Sequence, residues 1–325
     1  VDVPEGLEGN PDAQFTFQFG LPEGSTYEAR VFEHAGSADE TPVGDEFELK
    51  NGDTHKLRDG QTIRVYGLAE GDAYTVRELT SAADGMPAGF TLTGREKGGQ
   101  AVEGEGDAIS GTVERVNSDG TINRDNQLVF TNSYNVAPSV TLGEINAQKV
   151  LAGRDWKDGD SFKIYLRADD GTPMPEGAEA SPVAGKTQVV KTATNGDVFS
   201  FGSIEYAKPG TYIYSIAEVT PDENDPSWLG GFGYSSVEYR VTVRVADNHD
   251  GTMSKPDVTM QRVFNDDGTS IENDPVTIDD KIAVVTNTYD TEKETISFNV
   301  RKTYDDQSGA NQAVAGKFTF QVEAL

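Results

Sequence analysis

The chain has 325 residues, a formal net charge of -28 and a pI near 4.3, which is enough length for two ordinary domains and part of a third. Such acidity repels nucleic acid and anionic lipid, so neither is an expected partner. The absence of cysteine excludes disulfides, thiol catalysis and cysteine zinc cages. No apolar stretch approaches the ~18 residues of a membrane span, so membrane insertion is not expected, and no basic segment with an apolar core opens the chain. Because it begins inside a strand-like segment, it reads as an excerpt of a longer mature protein.

In chain order, the regular segments alternate with period two and favour β-branched and aromatic residues. They begin with Phe15-Thr16-Phe17-Gln18-Phe19 and Tyr74-Thr75-Val76-Arg77-Glu78, then Leu128-Val129-Phe130-Thr131-Asn132-Ser133-Tyr134. They continue with Tyr212-Ile213-Tyr214-Ser215-Ile216, Tyr239-Arg240-Val241-Thr242-Val243 and Ala283-Val284-Val285-Thr286-Asn287-Thr288-Tyr289. Asp119-Gly120, Asp170-Gly171 and Asp250-Gly251 punctuate them as hairpin turns. Sustained helical periodicity is missing. The expected fold is all-β: tandem Ig-like sandwich domains with Greek-key-like antiparallel sheets.

An internal repeat divides the chain. Residues 1–137 form one unit, closing on Asn132-Ser133-Tyr134, and residues 138–290 a second, closing on Asn287-Thr288-Tyr289. Residues 291–325 begin a third, in which Phe318-Thr319-Phe320-Gln321-Val322 echoes Phe15 to Phe19. The polar junctions are brief, which favours an end-to-end array.

In the second unit Lys149 lies in the opening strand, Glu218 in a central strand and Asn287 in the last. Together in a core, the three can do chemistry that water forbids. Burial disfavours the charged lysine and keeps the glutamic acid protonated. The free amine can then attack the asparagine carboxamide, with Glu218 as acid and base, expelling ammonia and leaving a Lys–Asn isopeptide bond. Spacing alone favours a plainer reading, with a solvated edge lysine and a Thr-Asn-Thr strand end that is simply a turn.

The segments Lys149-Val150-Leu151-Ala152-Gly153-Arg154, Gly210-Thr211-Tyr212-Ile213-Tyr214-Ser215-Ile216-Ala217-Glu218 and Val285-Thr286-Asn287-Thr288-Tyr289 carry a resemblance. Residues 140–290 resemble the pilin isopeptide-linkage domains of Gram-positive surface fibres, the family of the streptococcal T-antigen backbone pilin. The resemblance implies Lys149 as nucleophile, Asn287 as electrophile and Glu218 as catalytic acid/base. The first unit is similar to a related pilin-like domain through Gly67 to Glu78 and Phe130-Thr131-Asn132-Ser133-Tyr134. There Glu78 and Asn132 occupy the equivalent positions. Aligning Glu5-Gly6-Leu7-Glu8-Gly9 with Lys149 to Gly153 puts Glu5 at the lysine position, so no bond is expected. In the third segment Lys302 looks like a reactive lysine whose partners lie beyond Leu325. Truncation of a third domain is the expectation, and donation of the Lys302 strand to the first unit of another molecule is the alternative.

The aspartate runs at Asp247-Asn248-His249-Asp250-Gly251 and Asn265-Asp266-Asp267-Gly268 lack the ligand order of a calcium loop and read as turns. His34, His55 and His249 show no metal-ligand spacing. Neither a metal nor a cofactor is expected, and nothing resembles a nucleophile elbow, a phosphate loop or a dinucleotide fingerprint. Trp156 reads as packing at the core edge and Trp228 as a loop plug. The resemblance implies a non-enzymatic structural stalk, self-cross-linked in a single turnover. It would be secreted to the cell surface and anchored to the wall through a region outside this chain, with neighbouring fibre domains as partners. The alternative is an adhesin in which residues 1–137, through the long loop region Ser81 to Asp125, bind a host protein or glycan.

Overall fold

The computed structural model describes residues 1–114, 126–290, 301 and 321. By internal contacts the chain falls into two units, Val1–Tyr289 and Asp290–Leu325. Lys302, in the second, lies outside the described residues.

The first unit is built almost wholly from strands; its helical element among the described residues is a single 3-10 turn, Ala82–Asp84. Each sheet takes its strands from one side of residues 135–139. On the N-terminal side, Phe15–Gly20 lies between Thr54–Leu57 and Ala73–Glu78, and Ala108–Thr112 extends that sheet. Leu128–Tyr134 pairs antiparallel with Phe90–Lys97 in a second sheet, and Thr26–Glu33 with its neighbours makes a third. The alternation of Phe15, Phe17 and Phe19 puts all three rings inside. Phe15 meets Phe90 edge-on at 5.2 Å, and Phe17 meets Phe130 at the same distance.

Part of the stretch read as the loop Ser81 to Asp125 is sheet. Phe90–Lys97, Gln100–Ala101 and Ala108–Thr112 are strands. The interspersed glycines and charges obscured an alternation that buries Phe90 and Ile109.

On the C-terminal side a seven-stranded sheet has Phe162–Asp169, Gly210–Glu218 and Glu238–Val245 near its centre. A four-stranded sheet carries Asn146–Ala152 beside Ile282–Tyr289. Ile164, Leu166, Ile216, Val241 and Val243 from the larger sheet share one core with Ala147, Ala283 and Val285 from the smaller. The two inner faces thus make a sandwich. One pairing departs from the antiparallel expectation. Asn146–Ala152 and Ile282–Tyr289 run parallel, with Lys149 opposite Val285 and Leu151 opposite Asn287. Two strands with most of the domain between them need no hairpin, and a parallel ladder is open to them.

The two sides meet closely. The Tyr134 hydroxyl donates to Asp247 Oδ1 at 2.7 Å and accepts from the Gly251 amide at 3.1 Å. Asp247 Oδ2 accepts from the amides of Glu8 and Gly9, both at 3.2 Å. Gly89 and Gly251 pack backbone to backbone; a Cβ on Gly251, whose φ is +79°, would stand 2.6 Å from the Gly89 Cα. The aspartate run read as a turn is therefore also a fastening.

Candidate functional site

Lys149, Glu218 and Asn287 converge between the two sheets of the C-terminal sandwich. Strand alternation aims each inward, and all three side chains are enclosed. Lys149 Nζ stands 2.9 Å from Glu218 Oε1. Asn287 Nδ2 donates to the same oxygen at 2.9 Å. Although close to the carboxyl, the lysine nitrogen has no partner in hydrogen-bonding geometry. It lies 5.0 Å from the centre of the Phe162 ring, which itself packs edge-on against Trp156 and Phe232.

Electrostatics follow from this enclosure. Burial lowers the Lys149 amine to about 8, against the opposing pull of Glu218. Burial likewise pushes the Glu218 carboxyl upward, opposed by Lys149 and by the hydrogen bonds it accepts. Both shifts favour the neutral pair: an amine with a free lone pair beside a carboxylic acid that can donate a proton.

The loop ahead of Glu238–Val245 supplies a group that sequence reasoning missed. The Ser235 amide donates to Asn287 Oδ1 at 2.9 Å and reaches Glu218 Oε2 at 3.2 Å. The Ser235 hydroxyl is tied to Asp266 Oδ1 at 2.7 Å. A backbone N–H on the carboxamide oxygen stands where negative charge would develop if an amine attacked the carbon. Ser235 carries no distinguishing motif; only the fold reveals that its amide points inward.

In the N-terminal half the structure brings Glu78 and Asn132 together. Asn132 Nδ2 donates to Glu78 Oε1 at 2.7 Å, and both residues are buried. Burial raises the Glu78 carboxyl, with the Asn132 contact opposing. Glu78 Oε2 and Asn132 Oδ1 have no partner. Glu5 is exposed in a turn. The two tryptophans pack locally: Trp156 meets Phe162, and Trp228 stacks on Tyr234 at 4.8 Å.

The comparison with known proteins turns on the segment that holds the triad. Residues 145–290 match the family model of the Spy0128-like isopeptide containing domain. Residues 2–134 match a domain of unknown function, DUF7601. No curated protein matches the chain. Among solved structures it is similar to the major pilin of Streptococcus pyogenes in an N168A mutant form, at 14% identity over 88% of this chain and 94% of that one, with a TM-score of 0.22. The T-13 major pilin of Streptococcus pyogenes is similar at 14% identity over 89% and 94%, TM-score 0.20. The shaft pilin SpaA of Lactobacillus rhamnosus GG is similar at 8% identity over 86% and 100%, TM-score 0.16. The family match over residues 145–290 supports a structural role of the pilin kind. Among the described residues no helix is long and apolar enough to cross a membrane.

Proposed function

We infer that this chain is a shaft segment of a Gram-positive surface fibre, reinforced by a Lys149–Asn287 isopeptide bond that it forms itself. The observation that carries the reading is the enclosed triad: an amine without a hydrogen-bond acceptor, a carboxyl 2.9 Å away and a carboxamide bound to that carboxyl. The neutral Lys149 amine attacks Asn287 Cγ, and the new N–C bond forms as the Cγ–Nδ2 bond breaks. Glu218 takes the proton lost by the amine and gives one to the departing nitrogen, so ammonia leaves. The Ser235 amide holds the oxygen as it gains charge.

We read residues 1–137 and 138–290 as two sandwich domains and 291–325 as the start of a third. The partners are neighbouring subunits of the fibre, and the cell surface is the site of action, with attachment to the wall supplied elsewhere in the protein. A cross-link between residues roughly 140 positions apart would stabilise the domain by about 5 kcal/mol in the chain-entropy picture.

Intact mass under denaturing conditions tests this. The chain should weigh one ammonia less than its sequence. Lys149→Ala and Glu218→Ala should each restore the full mass, and a full mass in the unaltered chain sinks the reading.

A further inference from the structure

The strand that carries Lys149 runs into a turn that the chemistry above does not use. The strand ends at Ala152, and the chain turns at Gly153, whose φ is +97° and where a Cβ would run into the Tyr289 carbonyl. A glycine is required for so close an approach to the end of the last strand. Arg154 comes next. Its guanidinium donates twice to Asp160, from Nη1 to Oδ2 at 2.7 Å and from Nη2 to Oδ1 at 2.8 Å, and Asp160 Oδ2 also accepts from the Lys157 amide at 2.8 Å. The ion pair is largely covered, with side-chain exposures of 15% for Arg154 and 7% for Asp160.

From that pair a series of contacts leads to the amine. The Arg154 guanidinium lies 4.6 Å from the centres of both the Phe232 and the Tyr289 rings. Those rings meet edge-on at 4.9 Å, and Phe232 meets Phe162 at 5.1 Å. Phe162 in turn stands 5.0 Å from Lys149 Nζ and meets Trp156 at 5.7 Å. Arg154, Trp156 and Asp160 all belong to residues 153–161, the connection between the Lys149 strand and the Phe162 strand. A bidentate pair of this kind fixes orientation as well as distance, which a lysine could not do. The charged groups that act on the amine are Glu218 and, more weakly, Asp266. Those on the carboxyl are Lys149 and the N–H groups of Asn287 and Ser235.

We propose that Arg154 and Asp160 are positioning residues for the Lys149–Asn287 reaction: their ion pair latches residues 153–161 over the end of the sandwich and holds the Phe162, Phe232 and Tyr289 rings against the amine, keeping water out. The inference rests on reading Lys149 as the nucleophile. The reactive form is the neutral amine beside the protonated carboxyl. Its competitor carries the same single proton as an ammonium–carboxylate pair, and water favours that competitor. Burial brings the amine from 10.5 down to about 8 and the carboxyl up from 4.5, so the acid and alkaline limbs of the pair's pH profile stand close together. Opening the latch would separate the limbs and thin out the reactive form.

The test follows loss of ammonia by intact mass as the full chain, unfolded and not yet linked, is returned to native buffer over a range of pH. Asp160→Asn unmakes the latch, and Arg154→Lys keeps a cation that cannot span both oxygens of Asp160. Asp160→Asn should slow linking about tenfold for each unit by which the limbs separate. Its acid limb should move toward 4.5 and its alkaline limb toward 10.5. Arg154→Lys should move both limbs the same way by less, and it decides the matter should Asp160→Asn not fold. Protection of the Leu166 and Val241 amides from hydrogen exchange, in the middle of the larger sheet, reports folding in each variant. Slower linking with both limbs unmoved would make the pair a brace for the fold and overturn the proposal, as would parental rates in both variants. Either result leaves the Lys149 reading standing. A parent chain that keeps its full mass at every pH removes that reading and this one with it.

Discussion

The chain holds two buried Glu–Asn pairs in equivalent places, and their surroundings differ. Glu78 faces Phe17 across its ladder as Glu218 faces Ile164, and in each pair the asparagine amide donates to the carboxyl. Around Asn287 every oxygen of the pair is engaged, by Lys149, by the asparagine amide or by the amide of Ser235. Around Asn132 two oxygens are idle. A Glu–Asn pair is therefore an unfinished device. What the C-terminal pair has in addition is the Lys149 amine and the Ser235 backbone donor, and both come from elements distant in sequence.

The largest break in this comparison is Lys149→Ala. It should remove about 5 kcal/mol from the C-terminal sandwich, which in a domain of about 150 residues lowers its Tm by roughly 10–20 °C in scanning calorimetry. The N-terminal half should keep its own transition if the halves melt separately. Next comes Ser235→Pro, which deletes the N–H aimed at Asn287. Loss of ammonia, followed by mass after refolding, should slow by about 100- to 1,000-fold. Ser235→Ala keeps the amide and loses only the tie to Asp266, so its rate should fall far less. Equal rates in the two variants would discount the amide.

Tyr134→Phe probes what the halves share. It removes a hydrogen bond to Asp247 and one from Gly251, and should cost about 2 kcal/mol. Separation of one thermal transition into two would show that this contact couples them. Glu78→Gln should have the smallest effect, with a sign set by pH. Burial raises the folded Glu78 carboxyl above its ordinary 4.5, so the folded state holds a proton that the unfolded chain releases. The stability this contributes is complete below pH ~4.5 and fades as pH rises toward the folded value. The variant should match the parent in acid and exceed it by about 1 kcal/mol near neutrality, as read from denaturant midpoints across pH. A parent that gains on the variant as pH rises would mean that Glu78 is ionised in the fold.

Much of this architecture was legible in the residues. Period-two alternation marked Phe15–Gly20, Gly210–Glu218 and Glu238–Val245, because a strand buried on one face must alternate. Lys149, Glu218 and Asn287 stood out by their places in the opening, central and closing strands of the second unit, and their roles came from the resemblance, since spacing alone left a solvated edge lysine open. Ser235 could not be found this way, since its contribution is a backbone amide and every residue but proline has one. Glu5 was placed by aligning Glu5-Gly6-Leu7-Glu8-Gly9 with Lys149 to Gly153, a match carried by Leu7 and Gly9. Glycines recur wherever a turn needs positive φ, as Gly6 and Gly9 do here, and Glu5 itself is exposed in a turn.

The parallel run of Asn146–Ala152 beside Ile282–Tyr289 also determines how the sandwich meets a pull. Force applied at Asn146 and at Tyr289 acts at opposite ends of the paired stretch. The seven residue pairs from Asn146–Ile282 to Ala152–Thr288 are then loaded together in shear, where an antiparallel hairpin would peel one rung at a time. With Lys149 joined to Asn287, tension would enter the opening strand, cross after three residues and leave two residues beyond the asparagine. The sheets between would hang off the load path as slack cargo, held by the tether and not stretched by it.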